Sequence, residues 1–281
     1  MNEDKKNITE EIKETDNKSL SAVDLRVIHT PENKFISFSG GIESTTLCLI
    51  YGAVAKPIFA DTGSEHEEMY QRLIDVEQKL KKIHGEQFNI IRVSAGNLKD
   101  YIKKQHFFPN YKARYCTRMF KIEPIDNFLR EQGECELMIG LNANEASDRT
   151  SNYGLLSNVK YTHPLVDLGF TREHCKFLLG KADLLPHFPP YMQRGGCEEC
   201  YFKSKKEWKA LILLNEKRAW ELAEFEDSVQ DEREKYFAIN QSMGRLRNFI
   251  QAVKDQGELF TMEETYSYED NHSPCGAFCH R

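Results

Sequence analysis

The stretch 35–50 constrains the fold more than any other part of this chain of 281 residues. An apolar run that predicts a buried strand leads into a Ser-Gly-Gly turn at 39–41, and helical periodicity follows. The glycines permit backbone conformations that other residues avoid, and Ser44 and Thr45 stand where a helix begins. Free amides at a helix start favour an anion, so the stretch predicts a phosphate cradle. A strand-turn-helix without a ligand is the alternative.

Strand-like and helical stretches alternate beyond this turn. Strands are predicted near 35–38, 57–60, 88–93 and 137–140, and helices near 42–53, 66–83, 97–105 and 122–132. This alternation predicts an α/β fold whose parallel sheet is covered on both faces, a Rossmann-like nucleotide-binding core. Ligands of such folds lie beyond the carboxyl ends of the strands, so the residues that follow the strands are expected to share one crevice. These residues are Ser39, Asp61, Ser94 and 140–142.

The sequence predicts three regions. Residues 1–24 form a polar tail that is expected to be disordered, because few large apolar side chains are present. Residues 25–170 form the nucleotide-binding α/β domain, and 171–281 form a helical C-terminal region that contains cysteines. The stretch 147–196 is expected to be loop-rich with one helix near 172–179, and further helices are predicted near 204–215, 217–233 and 242–255.

Charge and hydropathy exclude several classes of protein. The net charge of −6 gives no general basic field for nucleic acid, although a local basic groove is compatible with it. No apolar run of about 18 residues predicts a membrane span, and the first 20 residues do not resemble a secretion signal. We therefore expect a cytoplasmic protein, in which eight cysteines serve as thiols, metal ligands or redox groups rather than as a disulfide framework.

The spacing of the cysteines separates them into groups. Cys48, Cys135 and Cys175 have apolar neighbours and are predicted to be small buried side chains. Four others form two close pairs, which are Cys197 with Cys200 and Cys275 with Cys279. Four thiolates in two such pairs suit zinc or a four-iron four-sulfur cluster. A cluster held by Cys116, the first pair and one C-terminal cysteine is the alternative, and so is the absence of metal.

Two further elements carry candidate chemistry. The stretch 58–65 ends an apolar run in Asp-Thr-Gly, where Asp61 could hold a ribose hydroxyl, bind magnesium through water or only cap a helix. The stretch 114–125 places three cations around Cys116. Such cations lower the pKa of a thiol and suit polyphosphate, whereas a solvated helix start with an inert cysteine is the bland alternative.

Two elements follow the fourth predicted strand. Arg149 offers a fork of donors for phosphate or sulfate oxygens, and Glu145 could orient Arg149 or bind metal. His163 precedes a proline and is interpreted as a structural residue.

In this order, the elements resemble those of the phosphoadenosine phosphosulfate (PAPS) reductases and ATP pyrophosphatases. Residues 39–45 resemble the Ser-Gly-Gly-x-x-Ser-Thr PP-loop, 59–63 the F-x-D-T-G element, and 114–124 the R-x-C-T-x-x-x-K-x-x-P segment. Residues 140–149 and 163–165 are similar to the G-I-x-x-x-E-S-x-x-R and H-P-L patterns of that family. The cysteine pairs add a resemblance to a branch that is common in phages and bacterial mobile elements.

The resemblance implies an enzyme that binds ATP, or PAPS, with magnesium. It implies a nucleotide site made by Ser39, Gly40, Gly41, Glu43, Ser44, Thr45, Asp61, Thr62, Gly63 and Glu145. The implied catalytic residues are Arg114, Cys116, Lys121 and Arg149, and the implied ligands for zinc or an iron-sulfur cluster are Cys197, Cys200, Cys275 and Cys279. The cations would neutralise charge that builds up on phosphorus or sulfur.

Three functions are compatible with these elements. In the first, ATP is cleaved at the α-phosphate to activate a substrate, such as a nucleic acid, for sulfur transfer from a donor protein. In the second, a thiol reduces PAPS or its unphosphorylated analogue; Cys275 resembles the family's nucleophile, although Pro274 and Cys279 depart from that pattern. In the third, the chain senses an adenine nucleotide without turnover. A homo-oligomer is compatible with each.

Overall fold

The structure of the chain is a computed structural model. It describes residues 33–110, 112–146, 156–193, 195–229 and 245–255. Several residues singled out above lie outside these ranges. They are the predicted tail 1–24, Arg149, Cys275 and Cys279.

The described residues form a five-stranded sheet in which all neighbouring strands are parallel. The strands are β1 (Lys34–Ser37), β2 (Lys56–Asp61), β3 (Ile91–Ser94), β4 (Cys135–Ile139) and β5 (Val159–Thr162). Their order is β3-β2-β1-β4-β5. The chain therefore moves outward on one side from β1 and returns to its other side at β4, which makes the β1–β4 edge the switch point where ligands of such sheets bind.

Ten α-helices surround this sheet in the described ranges. They are α1 (Ile42–Tyr51), α2 (Glu67–His84), α3 (Leu98–Gln105), α4 (Tyr115–Thr117), α5 (Glu123–Arg130), α6 (Pro164–Asp167), α7 (Arg172–Lys181), α8 (Lys205–Leu214), α9 (Glu216–Val229) and α10 (Leu246–Asp255). A π-helical turn, Arg118–Ile122, joins α4 to α5, and a 3₁₀ turn spans Ala143–Glu145. The α/β fold class with a helical, cysteine-containing C-terminal part is confirmed.

Alternate residues of the strands pack against different layers, as the pleat requires. Ile36, Phe59 and Met138 belong to one hydrophobic cluster, together with residues of α1, α2 and α7. Phe35, Ile58 and Leu137 belong to a second cluster, together with residues of α5. The sheet is thus buried on both faces, which explains why its central strands read as continuous apolar runs.

The C-terminal helices share the first of these clusters. Trp208 on α8, Leu222 on α9 and Ile250 on α10 are buried in the same cluster as Ile36. The helix α7 packs against α1, whose first turn forms the predicted phosphate cradle. The helical part of the chain therefore contributes to the support of this crevice.

The stretch predicted to be loop-rich also contains β5 and α6. Only Val159 is buried among the residues of β5, which lies at the sheet edge and pairs with β4 alone. A half-exposed strand of four residues leaves little apolar periodicity to read. Pro164 occupies the first turn of α6, where its missing N–H is not needed.

None of the helices in the described part of the chain is both long and apolar enough to cross a membrane.

Candidate functional site

The turn between β1 and α1 has the backbone of an anion cradle. Gly40 adopts a φ of +72°, and a Cβ there would stand 2.3 Å from Cε of Met69. Gly41 is the N-cap of α1, has extended backbone and provides no side-chain cap. The first amides of α1 therefore have no capping side chain, as anion binding at a helix N-terminus requires.

Hydroxyl groups are carried by Ser39 in this turn and by Ser44 and Thr45 at the start of α1. The Ser39 amide donates to Oγ of Ser44 at 3.2 Å, and the two serine hydroxyls are also 3.2 Å apart. Thr45 is different, because it is fully buried and its Oγ1 accepts a hydrogen bond from Nη2 of Arg72 at 3.4 Å. The structure thus brings Ser39 and Ser44 together at the turn, while the Thr45 hydroxyl faces the protein interior.

Glu43 connects the cradle to two other elements. Its Oε1 accepts hydrogen bonds from Nδ2 of Asn142 at 3.2 Å and from Nη1 of Arg172 at 2.6 Å. Asn142 follows β4 and Arg172 begins α7, so this carboxylate ties α1 to both. Close packing reinforces the contact, because a Cβ on Gly140 would stand 2.9 Å from the Ser44 amide nitrogen.

The Asp-Thr-Gly element forms a tight turn at the end of β2. Oδ1 of Asp61 accepts hydrogen bonds from the Gly63 amide at 2.8 Å and from the Tyr70 hydroxyl at 2.9 Å. Asp61 does not cap α2, since the N-cap of that helix is His66. Thr62 is fully buried, and its hydroxyl donates to Oε1 of Glu65 at 2.8 Å.

The glycine of this turn is required by its conformation and its neighbours. Gly63 has a φ of +67°, and a Cβ there would approach Cα of Asn97 to 3.1 Å. The Gly63 carbonyl accepts a hydrogen bond from Nδ2 of Asn97 at 2.6 Å, and Asn97 caps α3. The Asp-Thr-Gly turn is therefore fixed to the N-terminus of the next helix.

The Cys-x-x-Cys turn pairs with the chain that follows Asp-Thr-Gly. The Glu198 amide donates to the Ser64 carbonyl at 3.0 Å, and the His66 amide donates to the Gly196 carbonyl at 3.3 Å. Glu65 and Cys197 form an antiparallel bridge. We call these paired stretches, 64–66 and 196–198, the thiol strap.

A buried side-chain contact closes the thiol strap. The Ser64 hydroxyl donates to Oε2 of Glu199 at 2.6 Å, and both side chains are buried. Burial raises the pKa of Glu199 to about 7. Glu198 has a different environment, because it accepts hydrogen bonds from Nζ of Lys99 at 2.5 Å and from Nε of Arg218 at 2.7 Å. The strap is thereby joined to α3 and α9.

Cys197 of the thiol strap and Cys200, three residues further along the chain, lie near the buried basic groups His66 and Lys203. Both thiols and both basic groups line a small cavity of about 20 Å³. Its lining residues are His66, Lys121, Gly195, Gly196, Cys197, Cys200, Lys203 and Glu207. Nζ of Lys203 donates to Nε2 of His66 at 2.9 Å. The imidazole is neutral and can accept this hydrogen bond, because burial and the Lys203 charge lower the pKa of His66 to about 2. A hydrogen bond from Cys200 lowers the pKa of the Cys197 thiol. Burial and the charges of nearby carboxylates together have a larger, opposite effect, so the pKa of Cys197 is raised.

The segment predicted to be catalytic approaches the same turn. The Arg114 guanidinium lies 5.2 Å from the ring centroid of Phe202, and its Nη2 donates to Oγ1 of Thr117 at 3.4 Å. Cys116 is half-buried, and Lys121 lines the small cavity beside the two thiols. Arg114 and Lys121 are thus placed near the Cys-x-x-Cys turn, and Glu145 ends the 3₁₀ turn after β4.

A larger cavity, of about 480 Å³, opens beside the Asp-Thr-Gly turn. Its lining residues are Gly63, Ser64, Glu65, His66, Glu67, Glu68, Tyr70, Asn97, Lys99, Tyr191, Glu198, Asn215 and Arg218. This volume lies within the range of small-molecule sites. The cavity joins the carboxyl end of β2 to the thiol strap.

Metal binding stays a prediction. Within the described ranges, no group of three or more His, Cys, Asp or Glu side chains is arranged to hold a metal ion. Cys197 and Cys200 supply two of the four predicted ligands, and the other two lie outside those ranges. The expectation for the remaining cysteines is confirmed, because Cys48, Cys135 and Cys175 are buried and burial raises the pKa of each thiol.

Sequence reasoning missed several residues that build this region. Arg72, Arg172, Lys203 and Arg218 all bind groups far away in the sequence. The double glutamate inside Cys-x-x-Cys was visible but carried no signal of its partners. Its contacts depend on long-range pairing that local patterns do not contain.

The chain is similar to known proteins in three respects. A family model described as the Phosphoadenosine phosphosulfate reductase domain matches residues 33–164. An uncharacterised protein of Methanocaldococcus jannaschii is 32% identical over 122 residues, which are 41% of this chain. The chain spans 24% of the length of that curated relative. A crystal structure of PAPS reductase from Candida auris, in a phosphate complex, has a TM-score of 0.43 and 16% identity, covering 62% of this chain and 86% of that one.

The packing of Gly40 predicts a specific loss of stability. In Gly40→Ala the new methyl group contacts Met69, and alanine must adopt the strained φ of +72°. Gly133→Ala is the control, because its φ of +68° is nearly the same but no atom of the described residues beyond its chain neighbours lies within 4 Å of the new methyl group. We expect Gly40→Ala to lower the free energy of unfolding by about 1 to 3 kcal/mol more than Gly133→Ala. Urea unfolding of both variants measures this difference, and equal losses would contradict the close packing.

The thiol strap predicts a coupling between Ser64 and Glu199. In a double-mutant cycle with Ser64→Ala and Glu199→Ala, the interaction free energy should be about 1 to 2 kcal/mol, because both groups are buried. The exposed pair of Gln251 and Asp255 is the matched control, with an expected coupling below about 0.5 kcal/mol. Coupling no larger than the control would show that the contact does not close the strap.

Proposed function

Because residues 33–164 match the family model of the phosphoadenosine phosphosulfate reductase domain, we propose that the chain binds an adenine nucleotide and acts at its α-phosphate. The product would be an activated substrate that then receives sulfur. The observation that carries the proposal is the uncapped N-terminus of α1 at the β1–β4 switch point, beside the paired hydroxyls of Ser39 and Ser44.

The phosphates are proposed to lie against the turn 39–44. Amides at the start of α1 and the positive end of its dipole attract anions without a charged side chain. The carboxylate of Glu43 is engaged by Arg172, so its negative charge is partly balanced where phosphate would approach. Asp61, at the end of the neighbouring strand, is suited to a ribose hydroxyl or to magnesium through water.

Cations for the reaction are proposed to come from outside the turn. Arg114, Lys121 and Arg149 would neutralise charge that develops as the α-phosphate is attacked, which is the main task of protein groups in phosphoryl chemistry. Lys121 stands beside the thiols in the small cavity, a position compatible with sulfur chemistry at Cys197, Cys200 or Cys116. A sulfur-donor protein and a nucleic-acid acceptor are the partners that fit this scheme.

A second candidate function is reduction of PAPS or its unphosphorylated analogue by a thiol. It is favoured by Cys116, which is half-buried within the segment that carries Arg114 and Lys121. The sulfonate would pass to sulfur, and a dithiol reductant of the thioredoxin type would release it. The two functions differ in the nucleotide consumed and in the product formed.

Nucleotide binding and turnover test these proposals. Calorimetric titration should detect ATP binding that Ser44→Ala weakens by about tenfold, because Ser44 shapes the turn through its bond with the Ser39 amide. Ser228→Ala is the matched control, since Ser228 lies on α9 and its hydroxyl donates to the Phe225 carbonyl, and this variant should bind ATP normally. Release of AMP and pyrophosphate supports the first function, and adenosine bisphosphate from PAPS supports the second.

One result would contradict both candidate functions. If the chain binds neither ATP nor PAPS in the presence of magnesium, the phosphate cradle has been misinterpreted. Binding without turnover would instead favour a nucleotide-sensing partner.

A metal site is proposed as a separate feature of the C-terminal region. Cys197 and Cys200 lie within hydrogen-bond reach of each other in a tight turn, a donor set that suits zinc or an iron-sulfur cluster. Cys275 and Cys279 would complete the site. Such a metal would supply rigidity if it is zinc and electron transfer if it is a cluster.

Anaerobic purification followed by metal and sulfide analysis tests this site. We expect one zinc ion or one cluster per chain, and we expect Cys197→Ser with Cys200→Ser to lose it, because two of four ligands disappear. Cys135→Ser is the control that should retain the metal, as Cys135 is the buried first residue of β4 and is not among the proposed ligands. Full metal retention in the double variant would contradict the proposed ligands.

A further inference from the structure

Arg72 occupies an unusual place in α2. The buried residues of this helix are Met69, Arg72, Leu73, Val76 and Leu80, a stripe that packs against the core. Arg72 is the charged member of that stripe, with 7% of its surface exposed. Arginine is seldom buried to this degree unless an anion accompanies it.

The contacts of Arg72 are with neutral groups. Nε and Nη2 donate to the Gly40 carbonyl at 3.5 Å and to Oγ1 of Thr45 at 3.4 Å. Nη2 also donates to the Leu184 carbonyl at 2.5 Å, and Nη1 to the Leu185 carbonyl at 3.5 Å. The guanidinium therefore lies directly behind the turn between β1 and α1.

No carboxylate in the described part of the chain lies within ion-pair distance of Arg72. Asp75, three residues further along α2, makes no ion pair with Arg72 and accepts a hydrogen bond from Gln71, although its charge partly offsets the lowering of the Arg72 pKa by burial. Cys48 is also close, but burial raises the pKa of its thiol, so it carries no charge at neutral pH. Burial lowers the pKa of Arg72 to about 10, which leaves the guanidinium charged.

A buried charge without an ion-pair partner is destabilising, and an apolar side chain would fill the same stripe without that cost. The adjacent turn 39–45 contains no lysine or arginine of its own. An anion seated in the turn would be close to the guanidinium, because Nε of Arg72 donates to the Gly40 carbonyl of that turn at 3.5 Å. Its charge would balance the charge of Arg72 across a thin layer of protein.

We propose that Arg72 is a positioning residue of the phosphate cradle, which holds Gly40 and Thr45 in place and supplies the positive charge that selects nucleotides with more phosphates. It acts from behind the turn and does not touch the ligand. This inference rests on the proposed function, since the anion is the phosphate chain of the nucleotide. It adds a full positive charge to the field of the amides and the helix dipole, and thereby increases the preference for ATP over AMP.

The electrostatic part of this role has a distinctive signature. Coulomb energy grows with ligand charge, so removal of the guanidinium should weaken ATP more than AMP. A purely structural role, in which Arg72 only shapes the turn, would weaken both nucleotides by similar factors. The ratio of the two affinities therefore separates the roles.

The experiment compares ATP, AMP and inorganic pyrophosphate by calorimetric titration. In Arg72→Met we expect ATP to bind about tenfold more weakly and AMP at most about threefold more weakly, because the two ligands differ in charge. Arg72→Lys retains the charge and should preserve the preference for ATP. Lys34→Met is the matched control, because Lys34, like Arg72, is a buried cation. Lys34 lies on β1, at the end of the strand away from the turn 39–45, and its Nζ is 3.1 Å from Oε2 of Glu136.

Folding is monitored so that each outcome is decisive. If Arg72→Met does not fold, Arg72→Gln takes its place, because glutamine can still donate to the carbonyls of Leu184 and Leu185. Equal losses for ATP and AMP, or a lysine variant that loses the preference for ATP, would overturn this inference while the proposed function stands. If the unaltered chain binds none of the three ligands, the proposed function and this inference both fail.

Discussion

The structure depends on one close approach, that of the β1–α1 turn to its neighbours. Gly40 lies against Met69 and Arg72, and Gly140 lies against the amide of Ser44, so a Cβ would stand 2.3 Å from Cε of Met69 at Gly40 and 2.9 Å from the Ser44 nitrogen at Gly140. These contacts draw α2 and the end of β4 to the start of α1. The uncapped amides are consequently held in one orientation at the switch point, which is the preorganisation that an anion site needs.

A second layer connects this edge to the C-terminal helices. The thiol strap continues directly from the Asp-Thr-Gly turn, and its buried contact between Ser64 and Glu199 spans 135 residues of sequence. Glu198 binds Lys99 of α3 and Arg218 of α9. Glu198 thus joins the Cys-x-x-Cys turn to α3 and α9, and the hydrogen bond between Ser64 and Glu199 joins it to the chain that follows β2.

Much of the fold could be predicted from the sequence because its signals are local. Apolar strands buried on both faces, glycines at turns and the amphipathic stripe of α2 each depend on neighbours in sequence. The strand β5 could not be predicted in this way, since only Val159 is buried and its stability comes from pairing with β4. The positions of Ser39 and Ser44 followed from the motif, whereas the neutral partners of Arg72 and the pairing of Glu199 depend on tertiary contacts.

The measurement that tests the central claim most directly is amide hydrogen exchange, with and without ATP and magnesium. If phosphate sits on the start of α1, the amides of 40–44 should gain protection on binding, because each donates to the ligand. The amides of β5, at the far edge of the sheet, should be unchanged and serve as an internal reference. Protection confined to other regions, with exchange at 40–44 unaltered while ATP is bound, would contradict the account.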